Sequence, residues 1–150
     1  MEDHHDSGKI TVSYESLLEV GIRALHRVGV PEEDARTTAE VLLCADLRGV
    51  STHGIQRLLM YIPRIRQGLM NPRPNITVHS PAPALRIVSG NDGLGPVVGS
   101  RGMREAIDLA RTLGTGFVGC RDSNHFGAAA PYVLMACRER LIGIAGMLIQ

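Results

Sequence analysis

The chain has 150 residues, of which 44% are hydrophobic and 21% are charged, a composition that predicts a globular core and excludes a disordered chain. The formal net charge of +1 offers no electrostatic footprint for nucleic acid or a membrane surface, so neither is expected as a partner. The three cysteines, odd in number and without a CxxC pair, predict neither a disulfide framework nor a zinc site.

Three helices are predicted at the start of the chain, after a disordered tail over residues 1–9. Ser13 is a suitable N-cap for a first helix from about Tyr14 to Val28, and Gly29 ends it. Pro31 opens a second helix that runs to about Arg48, before Gly49.

The third helix is expected to begin near Ser51 or Thr52. It should bend or stop around Ile62, because Pro63 has no N–H to donate within the helix. The tail has no basic segment followed by an apolar stretch, so no secretory signal is predicted. No apolar run is long enough to cross a bilayer, and a cytoplasmic location with reduced cysteines is expected.

After Asn75 the pattern changes to one of strands and helices. Strand material at a sheet edge is predicted between Asn75 and Ser89, because of Pro81 and Pro83, and a tight turn over Gly90–Gly95 follows it. Next come a helix from Pro96 to Leu113, capped by Gly114, and a strand over Gly116–Cys120. The last predicted elements are a loop over Asp122–Gly127, a helix over Pro131–Arg140 and a strand over Leu141–Ile149. This order predicts an α/β fold, with a helical subdomain over 10–74 and a mixed α/β layer over 75–150. The layer is expected to be incomplete, because the chain stops inside an apolar, strand-like run.

The first candidate site lies on the predicted third helix. His53, Arg57 and Tyr61 are four residues apart and would stack along one helix face, with Arg48 and Thr52 at its entry. Guanidinium and imidazole groups suit an anionic, oxygen-rich ligand, and an imidazole can move a proton near neutral pH. The alternative interpretation is a solvated helix face with Thr52 as an ordinary cap.

The second candidate site is the loop after the predicted strand over 116–120. His125 stands there between the polar Ser123 and Asn124, which could fix its tautomer, and small residues that leave room for a flat ring. Loops at the carboxyl ends of strands often carry ligands in α/β folds. The alternative is a loop histidine with ordinary turn neighbours.

The glycines at positions 90, 93 and 95 precede a predicted helix, but their spacing is not GxGxxG. A glycine-rich turn is therefore preferred over a phosphate-binding loop. No metal site is expected, since the remaining histidines have no ligand partners at useful spacing.

The two histidine motifs together resemble those of a known family. Arg48 to Leu58 reads RGVSTHGIQRL and is followed by Tyr61, Gly68 and Asn71. This is similar to the RGxxSHGxxRL…Y…G…N signature of the malate/L-lactate dehydrogenase family, which includes sulfolactate, ureidoglycolate and piperideine-2-carboxylate enzymes. The second signature, SNHFGAA, stands at residues 123–129. The resemblance covers nearly the whole chain, from about Ile10 to Ile149.

The resemblance implies a non-Rossmann fold that binds NAD or NADP, a homodimer or higher assembly, and hydride transfer at C2 of a small 2-hydroxy or 2-keto acid. It implies acid/base roles for His125 and for His53, the latter paired with the hydroxyl of Thr52. It assigns the substrate carboxylate to Arg57 and Tyr61, with Arg48 as a further candidate. Phe126 and Gly127 are implied at the cofactor.

Two departures from the family pattern bear on these roles. Thr52 stands where serine is common, and Ala130-Pro131 replaces the usual small-aromatic pair. Family members are also more than twice as long as this chain, so most cofactor-binding residues are expected beyond residue 150. The competing interpretations are a truncated, non-catalytic remnant and a small module that binds anions without redox chemistry.

Overall fold

The computed structural model describes residues 10–147, so the tail predicted for residues 1–9 lies outside the described residues. In the described part, three α-helices precede a three-stranded sheet that is accompanied by two more helices. The helices are α1 (Tyr14–His26), α2 (Glu32–Asp46), α3 (Leu58–Arg66), α4 (Gly95–Leu113) and α5 (Ala130–Arg138), and the strands are β1 (Thr77–Ala82), β2 (Leu85–Gly93) and β3 (Phe117–Ser123). The predicted mixed α/β fold with helices in front is confirmed.

The first two helices are bounded largely as their sequence predicts. The side chain of Ser13 accepts a hydrogen bond from the backbone N–H of Ser16 and caps α1. Gly29 and Gly49 adopt φ angles of +92° and +73°, which glycine tolerates without a steric penalty. Both helices end two residues earlier than predicted, because the residues just before each glycine form a turn.

Pro63 does not stop α3, so a helix end around Ile62 is a wrong prediction. The helix continues through Pro63 to Arg66. A residue at position 63 would normally donate its N–H to the carbonyl of Leu59, which is 82% exposed. Because Pro63 is exposed as well, water can satisfy that carbonyl, and the missing hydrogen bond does not break the helix.

The tight turn predicted around Asn91 and Asp92 is also wrong, since both residues belong to β2. Their φ angles are positive, at 50° and 56°, and the pairing of β2 with β3 shifts register between Ser89 and Gly93. The turn-forming residues therefore produce a bulge within a strand instead of a chain reversal.

The strand predicted over Leu141–Ile149 does not form in the part of this segment that the structure describes, so that prediction is wrong there. Residues 141–147 form no regular element, and residues 148–150 lie outside the described range. A strand needs a neighbour to pair with, and residues 142–147 make no ladder hydrogen bonds to the described strands. Apolar sequence alone does not supply that neighbour.

The arrangement of the sheet determines the position of the second candidate site. β2 is the central strand, antiparallel to β1 and parallel to β3. β1 lies at the edge, as Pro81 predicts, whereas residues 85–89 of the predicted edge material belong to the central strand. The strands β2 and β3, which α4 connects, are parallel. Their carboxyl ends therefore lie at the same edge of the sheet. The loop that carries His125 leaves β3 at this edge.

A mainly aliphatic core joins the three N-terminal helices to the start of α4. Its buried side chains are Ile22, Leu25, Val30, Ala35, Ala39, Leu42, Leu58, Tyr61, Ile65, Met70, Leu94 and Val97. Tyr61 belongs both to this core and to the first candidate site, so core packing fixes a site side chain. Among the helices of the described residues, none is long and apolar enough to cross a membrane.

Candidate active site

The segment that carries the first signature is broken into short turns. Two 3₁₀ turns, Ser51–His53 and Ile55–Arg57, are separated by the extended backbone of Gly54. The α3 helix begins only after them. The prediction that one continuous helix presents a stripe from His53 to Tyr61 is therefore wrong.

The carboxylate of Asp46 accounts for this break. Its Oδ2 accepts a hydrogen bond of 2.7 Å from the backbone N–H of Ile55. A Cβ atom on Gly54 would lie 1.8 Å from Oδ1 of Asp46, so a larger residue would displace the carboxylate. Asp46 is a site residue that the sequence motifs did not predict. The available signal was a glycine inside a predicted helix, which indicates close approach by another group.

We expect Asp46→Ala to lower the free energy of unfolding by about 0.5–2 kcal/mol, the usual cost of losing a capping carboxylate. It should also raise the KM for the acid substrate in the full-length protein, because the turn that carries Arg57 loses its anchor. Thermal unfolding and steady-state kinetics measure the two effects. Asp108→Ala, at an exposed position of α4, is the matched control and should change neither. Unaltered stability and KM in Asp46→Ala would contradict this role.

The two histidines predicted from separate motifs lie side by side. The imidazole rings of His53 and His125 stack with their centroids 5.5 Å apart and 28° between their planes. The hydroxyl of Thr52 lies 3.1 Å from Nδ1 of His53, within hydrogen-bonding distance. The structure therefore brings the first and second candidate sites together into one cluster.

Tyr61 contacts His125 twice through its hydroxyl oxygen. That oxygen lies 2.9 Å from Nδ1 of the imidazole and 2.8 Å from the backbone oxygen of the same residue. Tyr61 is fully buried, and burial raises the pKa of its phenol well above the ordinary value of 10. The phenol therefore keeps its proton throughout the physiological pH range.

Burial and the nearby charge of Arg57 favour the neutral form of His125. Burial lowers the pKa of its imidazole below 6.5, and the positive charge of Arg57 and electrostatic repulsion with His53 lower this pKa further. An imidazole without an extra proton can accept one from a hydroxyl group. The cluster thus contains a base that is ready at neutral pH.

Arg57 supplies a cation beside these rings. Its Nε donates a hydrogen bond to the backbone oxygen of Thr52, which fixes the plane of the guanidinium. In the described part of the chain, no ion pair or other hydrogen bond engages its two terminal nitrogens. These nitrogens can bind both oxygens of one carboxylate.

Arg48 makes its described contacts elsewhere. Its Nη1 lies 3.1 Å from Sγ and 3.3 Å from the backbone oxygen of Cys44, one turn back along the chain. No described contact joins Arg48 to His53, Arg57 or His125. A role for Arg48 at the substrate stays a prediction.

The loop around His125 rests on α4 and on the bulged end of β2. A Cβ atom on Gly95 would lie 2.2 Å from the backbone oxygen of His125 and 2.4 Å from that of Asn124. The Asn124 side chain donates hydrogen bonds of 2.8 and 3.2 Å to the backbone oxygens of Asp92 and Gly93. Asn124 therefore anchors the loop. The suggestion that it fixes the His125 tautomer is not supported, because the side chain close to Nδ1 is that of Tyr61.

The segment after His125 consists of one packed aromatic residue followed by small residues. Phe126 stacks on Tyr132 with centroids 5.3 Å apart, and the Tyr132 hydroxyl donates to the backbone oxygen of Phe126. Gly127 has a φ of +78°, and a Cβ there would lie 3.3 Å from Val41 of α2. The next three residues are alanines. Apart from Phe126, the residues that directly follow His125 therefore have small side chains.

Comparisons with known proteins identify the family of this chain. A family model described as malate/L-lactate dehydrogenase matches residues 12–148. Malate dehydrogenase of Pyrococcus horikoshii is 45% identical over 140 residues, which are 93% of this chain and 39% of that protein. Its solved structure matches with a TM-score of 0.86 and covers 89% of this chain and 38% of that chain. L-sulfolactate dehydrogenase of Methanocaldococcus jannaschii is 44% identical over 123 residues, which are 82% of this chain and 36% of that protein.

Two further relatives name a cofactor. Ureidoglycolate dehydrogenase (NAD(+)) of Escherichia coli O157:H7 and (2R)-3-sulfolactate dehydrogenase (NADP(+)) of Chromohalobacter salexigens are each 35% identical to this chain, over 134 and 126 residues. These matches cover 89% and 84% of this chain, and 38% of each relative. The chain spans less than two-fifths of the length of these relatives. Because the family model matches most of its residues, the chain belongs to the malate/L-lactate dehydrogenase family.

Proposed function

We propose that this chain is the N-terminal part of an enzyme that transfers hydride between NAD or NADP and C2 of a small 2-hydroxy or 2-keto acid. The observation that carries the proposal is an arginine, whose terminal nitrogens have no partner among residues 10–147, beside a stacked imidazole with a lowered pKa. A 2-hydroxy acid places a carboxylate next to the hydroxyl that must lose its proton. Malate, lactate, sulfolactate and ureidoglycolate all have this arrangement.

In the proposed oxidation, Arg57 binds the carboxylate and thereby orients the C2 hydroxyl toward His125. The imidazole takes the hydroxyl proton while the C2 hydrogen leaves with its electron pair, and C2 becomes a keto carbon. In the reverse direction the imidazolium returns the proton to the oxygen. A positioned acid/base of this kind contributes about 10²–10⁴-fold in rate. His53, paired with Thr52, is the alternative acid/base.

The nicotinamide cofactor supplies the hydride chemistry when it is bound. We propose that Phe126, Gly127 and the alanines after them border its ring, since they are small or turned toward Tyr132. The cofactors named for the relatives include both NAD(+) and NADP(+), so the proposal covers both. We also propose a homodimer in the cytoplasm, where the free cysteines Cys44, Cys120 and Cys137 would stay reduced.

The direct test of this function uses the full-length protein. Oxidation of NADH and of NADPH is followed by absorbance with pyruvate, oxaloacetate and 3-sulfopyruvate as substrates. The proposal expects turnover with at least one of these acids. Tight binding of the acids with neither turnover nor nicotinamide binding would support the alternative of an anion-binding module.

Arg57→Gln should raise the KM for the acid substrate by about 10- to 100-fold. Charge-assisted hydrogen bonds contribute about 1.5–3 kcal/mol, and glutamine lacks the charge and the paired donors. Arg64→Gln, at an exposed position of α3, should leave KM unchanged in the same assay. An Arg57→Gln enzyme with an unchanged KM would remove Arg57 from the carboxylate site.

The same variant should change the pH dependence of oxidation. The reaction requires His125 without its extra proton, so kcat/KM falls as the pH drops through the lowered pKa of His125, below 6.5. Arg57→Gln removes one of the charges that lower this pKa, so the inflection should move upward. A pH profile of kcat/KM measures the shift, and an inflection that stays in place would contradict the electrostatic coupling.

The alternative of a truncated remnant has its own test. Sequencing the gene and its transcript beyond codon 150 shows whether the reading frame continues. A frame that continues through a further segment of the family supports the enzyme. A stop codon directly after residue 150, with the chain present at this length in cells, supports the remnant.

A further inference from the structure

We propose that Tyr61 is a positioning residue, which fixes His125 in the tautomer with hydrogen on Nδ1 and leaves Nε2 as the proton-accepting nitrogen. This assignment differs from the substrate-binding role that the family resemblance implies for Tyr61. Its catalytic consequence rests on the proposed function of His125. The tautomer itself does not depend on any catalytic role.

Counting hydrogens at the Tyr61 hydroxyl leads to this assignment. The oxygen contacts two groups of His125, the backbone carbonyl at 2.8 Å and Nδ1 at 2.9 Å. A carbonyl oxygen has no hydrogen to donate, so the single hydroxyl hydrogen of Tyr61 must lie toward it. A lone pair of the phenol oxygen is then directed to Nδ1.

Nδ1 must therefore carry the second hydrogen. Two lone pairs facing each other at 2.9 Å would repel, whereas an N–H donated from Nδ1 to the phenol oxygen satisfies both atoms. In a neutral imidazole only one nitrogen carries hydrogen, so Nε2 has the free lone pair. Tyr61 is fully buried in the described part of the chain, so water does not replace either partner of its hydroxyl.

One contact favours the opposite tautomer. The backbone N–H of Gly127 points to Nδ1 from 3.4 Å, as it would toward a lone pair. That distance lies beyond the ordinary range of an N–H hydrogen bond, whereas both contacts of Tyr61 lie well within it. The Tyr61 pair therefore decides the tautomer.

A phenol in this place has an electrostatic consequence that a carboxylate would not have. It accepts from Nδ1 and orients the ring without adding a negative charge. Burial and the charge of Arg57 on the 3₁₀ turn then favour the neutral imidazole. The base is thus held in one orientation and in its unprotonated form.

Nitrogen NMR of the full-length protein with ¹⁵N-labelled histidine tests the proposal, and comparison with His125→Gln assigns the signals. At neutral pH, His125 should show a protonated Nδ1 and an unprotonated Nε2. Tyr61→Phe should abolish this preference and lower kcat by about 10- to 100-fold, the range for partners that orient a functional histidine, with little change in KM. Tyr14→Phe, outside the site, should change neither the tautomer nor kcat.

Wild-type protein with the hydrogen on Nε2 would overturn the proposal even if Tyr61→Phe failed to fold. So would a Tyr61→Phe enzyme that keeps the tautomer, or one that changes only KM, which would make Tyr61 a substrate ligand. Failure of the proposed function can be distinguished from failure of the tautomer proposal. Turnover retained in His125→Gln would remove His125 as the base, while the NMR result on the wild-type protein would still stand.

Discussion

Replacing His125 with glutamine is expected to lower kcat for oxidation of the 2-hydroxy acid by about 10²–10⁴-fold in the full-length protein. Glutamine retains a polar side chain of similar reach, but it cannot accept a proton near neutral pH. Affinity for the cofactor should stay near its wild-type value, because the loop backbone is held by α4 and Asn124. Stopped-flow kinetics and fluorescence titration with NADH measure the two quantities.

The matched control is His26→Gln, at an exposed position in the last turn of α1, which should leave both quantities unchanged. Near-normal turnover in His125→Gln would move the acid/base role to His53, whose ring stacks on His125. A His53→Gln variant would then show the large loss instead. If neither variant lost activity, the stacked pair would have no chemical role.

The second large effect is expected at Gly95. A Cβ atom there would lie 2.2 Å from the backbone oxygen of His125, and a backbone atom cannot move aside as the end of a flexible side chain can. Gly95→Ala should therefore lower the free energy of unfolding by about 1–3 kcal/mol, as overpacking does. It should also reduce kcat by about 10²-fold, because a displacement of about 1 Å at the base disrupts its alignment with the substrate.

Gly119→Ala is the matched control, since a Cβ atom at that position in β3 meets nothing within 4 Å. Its stability and kcat should stay close to wild type. Chemical denaturation and steady-state kinetics measure both variants. A Gly95→Ala protein with wild-type stability and activity would show that the loop does not depend on its contact with α4.

Local sequence signals predicted much of the fold. Ser13, Gly29 and Gly49 act on their own backbone or on the next turn, so their effects can be anticipated without the tertiary structure. Pro81 in β1 likewise indicated an edge strand. Helix and strand order follows from such signals, because each depends on a few neighbouring residues.

The wrong predictions concern contacts between residues that are distant along the chain or between a residue and its solvent. The carboxylate of Asp46 acts on the N–H of Ile55 and interrupts an expected helix. Pro63 is tolerated because it lies on the solvent-exposed face of α3. The glycines at positions 90, 93 and 95 look like a turn or a phosphate loop. Gly95, however, is required because the backbone of His125 approaches it closely.

The site residues were identified from two motifs, but their arrangement was not. The sequence places His53, Arg57 and Tyr61 on one helix, whereas the structure divides them between a 3₁₀ pair and α3. The contacts of His125 with Tyr61 and His53 join the two motifs. No local pattern encodes that closure, since it depends on the contact of Tyr61 on α3 with the His125 loop that follows β3.

The central claim is that Arg57 and His125 act on one small acid. A crystal structure of the full-length protein with NADH and oxamate, an unreactive analogue of a 2-keto acid, tests it most directly. The account predicts the oxamate carboxylate on the terminal nitrogens of Arg57, with the adjacent carbonyl oxygen within hydrogen-bonding distance of Nε2 of His125. Oxamate bound next to the nicotinamide without contact to either side chain would contradict it.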